Sequence, residues 1–137
     1  MYVIFDDKII DSKDIMNIIK ENSCFDDVKD ISTRSKRDDI VAADLSIKVD
    51  TLNEILKEEG YDIENEDIDD IITEYMDLAD GFAIDLEEFM PKDSISTAYS
   101  YRYDEVENSI KTVFVMSHKS LGHAKLRDVL NRLLKLV

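Results

Sequence analysis

The chain has 137 residues, with 17 Lys and Arg against 32 Asp and Glu, one Cys, three Gly and one Pro. An apolar share of 44% over that length supplies the core of one domain and excludes a wholly disordered chain, despite 36% charged residues. A formal net charge of -15 disfavours direct binding to DNA, RNA or an anionic membrane surface, because contacts to phosphate need an excess of bases.

Tyr2, Val3, Ile4 and Phe5 predict a short strand that turns at Asp6 and Asp7 into Lys8, Ile9 and Ile10. Those acids follow too soon for a signal peptide or a membrane span. Ser12 is the expected N-cap of a helix to about Asn22, with Ile15, Met16, Ile18 and Ile19 inward. The lone Cys24 excludes an internal disulfide framework and reads as a reduced thiol of an intracellular, cytoplasmic protein. The i, i+3 spacing of Phe25, Val28 and Ile31 predicts one further helical turn, and residues 33–37 form a basic connection. Leu45, Ile47 and Val49 alternate with polar residues as a strand does, whereas the preceding Ile40, Val41, Ala42 and Ala43 fit a strand or a helix equally.

Asp50 is the expected cap of a helix carrying Leu52, Ile55 and Leu56, closed by Gly60. The clearest helix spans 65–80, with Asn65 as cap, Ile68, Ile71, Ile72, Tyr75 and Ala79 in one stripe, and Gly81 past its end. Beyond Pro91 the period becomes two, so Ile95, Thr97, Tyr99, Tyr101 and Tyr103 are expected to share a face. After a turn at 104–108, Ile110 to Met116 is apolar on both faces, as in a central strand. A last helix, from about Leu121 to Leu136, turns Leu126, Leu130, Leu133, Leu134 and Val137 inward, with Lys119, Lys125, Arg127, Arg132 and Lys135 on its outer side. The expected fold is α+β: one domain over residues 1–137, with a mostly antiparallel sheet of about four strands. An acidic helical segment occupies 50–93, and a β-hairpin and C-terminal amphipathic helix occupy 94–137.

The charge is unevenly placed. Residues 50–93 hold 17 acids and only Lys57 and Lys92, whereas residues 94–137 hold four acids and seven bases. So one-sided a middle third repels itself unless salt screens it or a cationic partner neutralises it. Glu66, Asp67, Asp69, Asp70, Glu74, Asp77 and Asp80 all fall opposite the apolar stripe of the 65–80 helix, and Glu64 lies at its rim. At 1.5 Å rise per residue they supply one negative charge per roughly 3.2 Å of axis, close to the roughly 3.4 Å of one DNA strand.

Leu56 to Gly60, Asp67 to Ile72, Asp80 with Gly81, and Ile84 to Phe89 together resemble the helix, loop and exit helix of an EF-hand protein. The resemblance covers under a third of the chain and implies a calcium-responsive binding module. Its ligand register departs from the family pattern. Gly81 at the sixth loop position puts Met76 and Leu78 at the first and third, where oxygen ligands belong, and Glu88 is one residue out of register.

Three glycines leave no phosphate-cradling loop, and G-x-S-x-G, H-E-x-x-H and C-x-x-C are absent. His118 and His123, five apart, do not share a helix face. No catalytic residue, metal site or cofactor is expected. The first expectation is a non-catalytic acidic inhibitor that occupies the basic groove of a nucleic-acid-binding protein, such as a nuclease or effector complex. Its size and charge resemble those of phage and mobile-element counter-defence factors, anti-CRISPR and anti-restriction proteins among them. Tyr99, Tyr101 and Tyr103 either cover a core or supply the aromatic anchor of that interface. An immunity protein or antitoxin masking a nuclease toxin follows from the same electrostatics, and a homodimer joining the basic helix to the acidic segment is the alternative assembly.

Overall fold

The computed structural model describes residues 1–137 as an α+β domain with two antiparallel sheets, one of two strands and one of four. Strands β1 (Tyr2–Phe5) and β2 (Lys8–Asp11) form the expected N-terminal hairpin. At its turn Asp6 takes a left-handed φ of 59°, which a short polar side chain tolerates. Helix α1 (Ser12–Asn22) follows directly, and its cap is Asp11 rather than Ser12: the Asp11 carboxylate accepts from the Lys13 N–H at 3.0 Å. The Ser12 hydroxyl is buried and donates to Asp30 at 2.5 Å.

Phe25, Val28 and Ile31 do not make the helical turn their spacing suggested. Asp27–Asp30 is strand β3, in which Val28 alone points into the core, and Phe25 and Ile31 flank it as separate anchors. An i, i+3, i+6 pattern with one inward strand residue between two loop residues is indistinguishable from a helix by periodicity. Strand β4 (Val41–Lys48) settles the 40–43 stretch as extended, buried on both faces. Helix α2 (Val49–Glu58) starts without a side-chain cap, so Asp50 lies in its first turn instead. Gly60, at φ 85°, closes it: the N–H groups of Gly60 and Tyr61 return to the carbonyls of Lys57 and Leu56.

Helix α3 (Ile68–Asp85) is longer than its sequence signals suggested and runs into a 3-10 turn, Leu86–Phe89. Strands β5 (Ser94–Asp104) and β6 (Ser109–His118) form the long hairpin, and helix α4 (His123–Leu134) closes the chain, slightly shorter than expected and with Val129 added to its inner face.

The four-stranded sheet has the order β3-β4-β6-β5, with every neighbour antiparallel. β4 and β6 are central, which explains why both read as apolar on two faces. One face carries Ala43, Leu45, Ile47, Ile110, Phe114 and Met116 and is covered by α1, α2, α3 and the N-terminal hairpin. The other carries Ala42, Val113 and Val115 and packs against Leu126, Val129, Leu130 and Leu133 of α4. Every buried side-chain polar atom has a hydrogen-bond partner. No helix is long and apolar enough to cross a membrane.

Candidate functional site

Helix α3 presents the acidic surface. Ile71, Tyr75, Ala79 and Ala83 bury one side of it against the sheet, and the Tyr75 hydroxyl donates to Asn53 of α2. Asp67, not Asn65, caps the helix: its carboxylate accepts from the Asp69 N–H at 3.4 Å. Gly81 lies inside the helix rather than after it, and the 77–88 region that the EF-hand resemblance makes a loop is continuous helix as far as Asp85. No group of three or more His, Cys, Asp or Glu side chains is placed to hold a metal ion.

The eight acids expected to meet a partner divide by what each side chain already holds. Glu64, Glu66, Asp67, Asp69, Asp70 and Asp77 are exposed, and Glu74 is half-buried. Asp80 is committed to the fold. Its carboxylate accepts from the backbone N–H of Ser100 on β5 at 2.6 Å. Glu87, two helical turns further on, accepts from the Ser96 N–H of the same strand at 2.6 Å and from its hydroxyl at 3.2 Å. β5 is an edge strand, so two carboxylates of the α3 segment satisfy N–H groups that would otherwise invite another strand to pair. Asp69 lies on the same flank, eleven residues before Asp80. Within α3, the carboxylates of Asp69, Asp70, Glu74, Asp77 and Asp85 have no internal partner, and all but the half-buried Glu74 are exposed. At 1.5 Å per residue they place one charge about every 5 Å of axis, sparser than the density expected from the sequence.

What distinguishes this surface is the absence of counter-charges. Six ion pairs occur in the protein, and none includes an acid between Asp50 and Glu88. Burial, and then the carboxylates of Glu66, Glu74 and Asp70, hold the Tyr61 phenol above its ordinary ionisation range, so the negative field reaches the α2–α3 link.

The tyrosine row does not exist as expected. A bulge between Ser100 and Arg102 shifts the β5–β6 register, so the alternation of the strand inverts after Tyr101. Tyr99 is exposed on the α4 side of the sheet. Tyr101 packs on that same side, and its hydroxyl donates to the two oxygens of Asp44 at 3.0 and 3.1 Å. Tyr103 falls on the opposite face, within the main core, and its hydroxyl donates to Asn108 at 2.8 Å. Three aromatics in two environments cannot form one anchor.

The apolar residues beside the acidic helix are others. Ile84 is 56% exposed and sits seven residues after Asp77, on the same outward line of α3. Phe89, 41% exposed, and the half-buried Phe82 line a notch of about 240 Å³ where the end of α3 meets the segment after α1. Leu86 is its apolar floor, Asp85 and Glu88 stand at its rim, and Asn22, Ser23 and the exposed Cys24 close the far side. Sequence reasoning missed this notch. Its only signal was that Phe82, Ile84 and Phe89 continue an apolar series past Gly81, where the helix was expected to stop.

Comparison with protein-family models, with curated proteins and with solved structures returns no match. The site is therefore read from its own geometry.

Proposed function

We propose that the protein is a non-catalytic acidic binding protein that occupies the basic groove of a nucleic-acid-handling protein, in the manner of a phage or mobile-element counter-defence inhibitor. One observation carries the reading: the carboxylates of α3 and its flanks lie on the surface with no cation of their own chain paired to them. Like charges one helical turn apart, such as Glu66 and Asp70 or Asp70 and Glu74, oppose helix formation mildly. A sequence that keeps them together without internal compensation suits a surface neutralised from outside, and the resulting field speeds encounter with a cationic partner. The match to a nucleic acid is in sign and continuity of charge. At about 5 Å per charge it is not a phosphate-by-phosphate copy.

The test is capture from host extract at low and high salt, with the wild-type protein and with a Glu66→Lys/Asp70→Lys/Asp77→Lys variant, all three sites being exposed. The reading expects a nuclease or effector complex that the wild type retains at low salt and releases at high salt, that the variant does not retain, and whose DNA or RNA competes for it. A partner held equally by both forms would defeat the reading.

A further inference from the structure

We infer that the notch between the end of α3 and the α1–β3 link seats an arginine side chain of the partner. This rests on the proposed function and adds a specific chemistry to it. At about 240 Å³ the notch lies below the roughly 300–1,000 Å³ of small-molecule pockets and suits a single side chain. Its lining is amphipathic in a way that selects the occupant. Phe82 and Phe89 offer aromatic surface over a Leu86 floor, while Asp85 and Glu88 place two carboxylates at the mouth. The carboxyl-terminal end of α1, where the helix dipole is negative, supplies Asn22 and Ser23 to the opposite wall. Neither rim carboxylate has a cation of its own chain within ion-pair distance.

An aliphatic side chain would bury well between the rings and leave both carboxylates unpaired. A carboxylate would be repelled. A lysine would satisfy the charge as a compact, strongly hydrated ammonium, which stacks poorly. A guanidinium is planar, weakly hydrated and forked, so it stacks on an aromatic ring while donating to carboxylates at its edge. The notch opens beside the C-terminal end of α3, round the helix from the line of Asp70 and Asp77, with the exposed Asp85 at its rim, so a basic chain that crosses the acidic band enters it past that carboxylate.

Cys24, the only cysteine, is exposed on the notch wall and reports occupancy directly. The experiment compares an octa-arginine peptide with an octa-lysine peptide of equal charge, by titration against the full chain and by the rate of Cys24 alkylation. Tighter binding of the arginine peptide by about fivefold is expected, with Cys24 protected by the arginine peptide alone. Phe89→Ala, at an exposed position, is expected to bring the arginine affinity down to the lysine value without altering any charge. Equal affinities with Cys24 unprotected would overturn the arginine seat while leaving the acidic-face reading intact, provided that Glu66→Lys/Asp70→Lys/Asp77→Lys weakens both peptides. Binding of neither peptide would overturn both.

Discussion

At the scale of single residues, the carboxylates fall into groups with opposite consequences for stability. Asp44 is half-buried on β4, paired across the sheet with Val113, and desolvation raises its pKa above the ordinary 3.8, although Tyr101 and the charges of Lys111, Lys29 and Arg34 pull the other way. A raised carboxyl costs stability at every pH above its folded value, and the cost vanishes once both folded and unfolded chains are protonated. Asp44→Asn, whose amide oxygen can still accept from Tyr101, is expected to raise the denaturation midpoint at neutral pH. That gain should fade as pH falls through the raised folded value toward 3.8 and be gone below it, which a urea titration at several pH values checks. Asp30 behaves oppositely. Burial opposes its ionisation, but hydrogen bonds from Ser12 and Ser32 outweigh it and lower its pKa. Its contribution is therefore present above 3.8 and is lost as pH falls through the folded value. Asp30→Ala leaves the buried Ser12 hydroxyl without its acceptor and is expected to cost about 1–3 kcal/mol.

At the scale of elements, α3 does two jobs with one residue type, and substitutions separate them. Asp80→Ala removes the acceptor of the Ser100 N–H at the β5 bulge and is expected to lower stability by about 1–2 kcal/mol. Asp77→Ala touches no internal partner and should change stability by less than about 0.5 kcal/mol while weakening the partner complex. Thermal melts and binding isotherms on the two variants measure the contrast. The same elements show what a sequence can and cannot disclose. The hairpins, α1 and α4 were legible because period-two and 3.6-residue patterns are local properties of the chain. β3 was not, since Phe25, Val28 and Ile31 space apolar residues as a helix would. The split of the tyrosines was not, because one bulged residue inverts every later side chain on the strand, and nothing in Tyr99–Tyr103 announces it. The exposed acids of the candidate site were legible from composition. The commitment of Asp80 to β5 and the assembly of the notch were not, because each joins segments distant in sequence, Asp80 to Ser100 and Cys24 to Phe89.

For the whole molecule, charge is polarised across the sheet. The acidic α3 lies on one face, and α4, with Lys125, Arg127, Arg132 and Lys135, lies on the other. Arg132 is tied down by donating to the Ser35 carbonyl, and Lys119 pairs with Asp93 at 3.1 Å. The α3 acids have no such relief, so the folded state carries a repulsion that salt screens. The melting temperature is expected to rise with added sodium chloride. The Glu66→Lys/Asp70→Lys/Asp77→Lys variant should melt no lower than wild type in dilute buffer and should gain less from salt. The most direct test of the central claim is the affinity of this folded variant for the captured partner, measured beside wild type across a salt series. The account predicts steeply salt-dependent wild-type binding that the three substitutions abolish. Undiminished binding by the variant, with the same salt dependence, would contradict it.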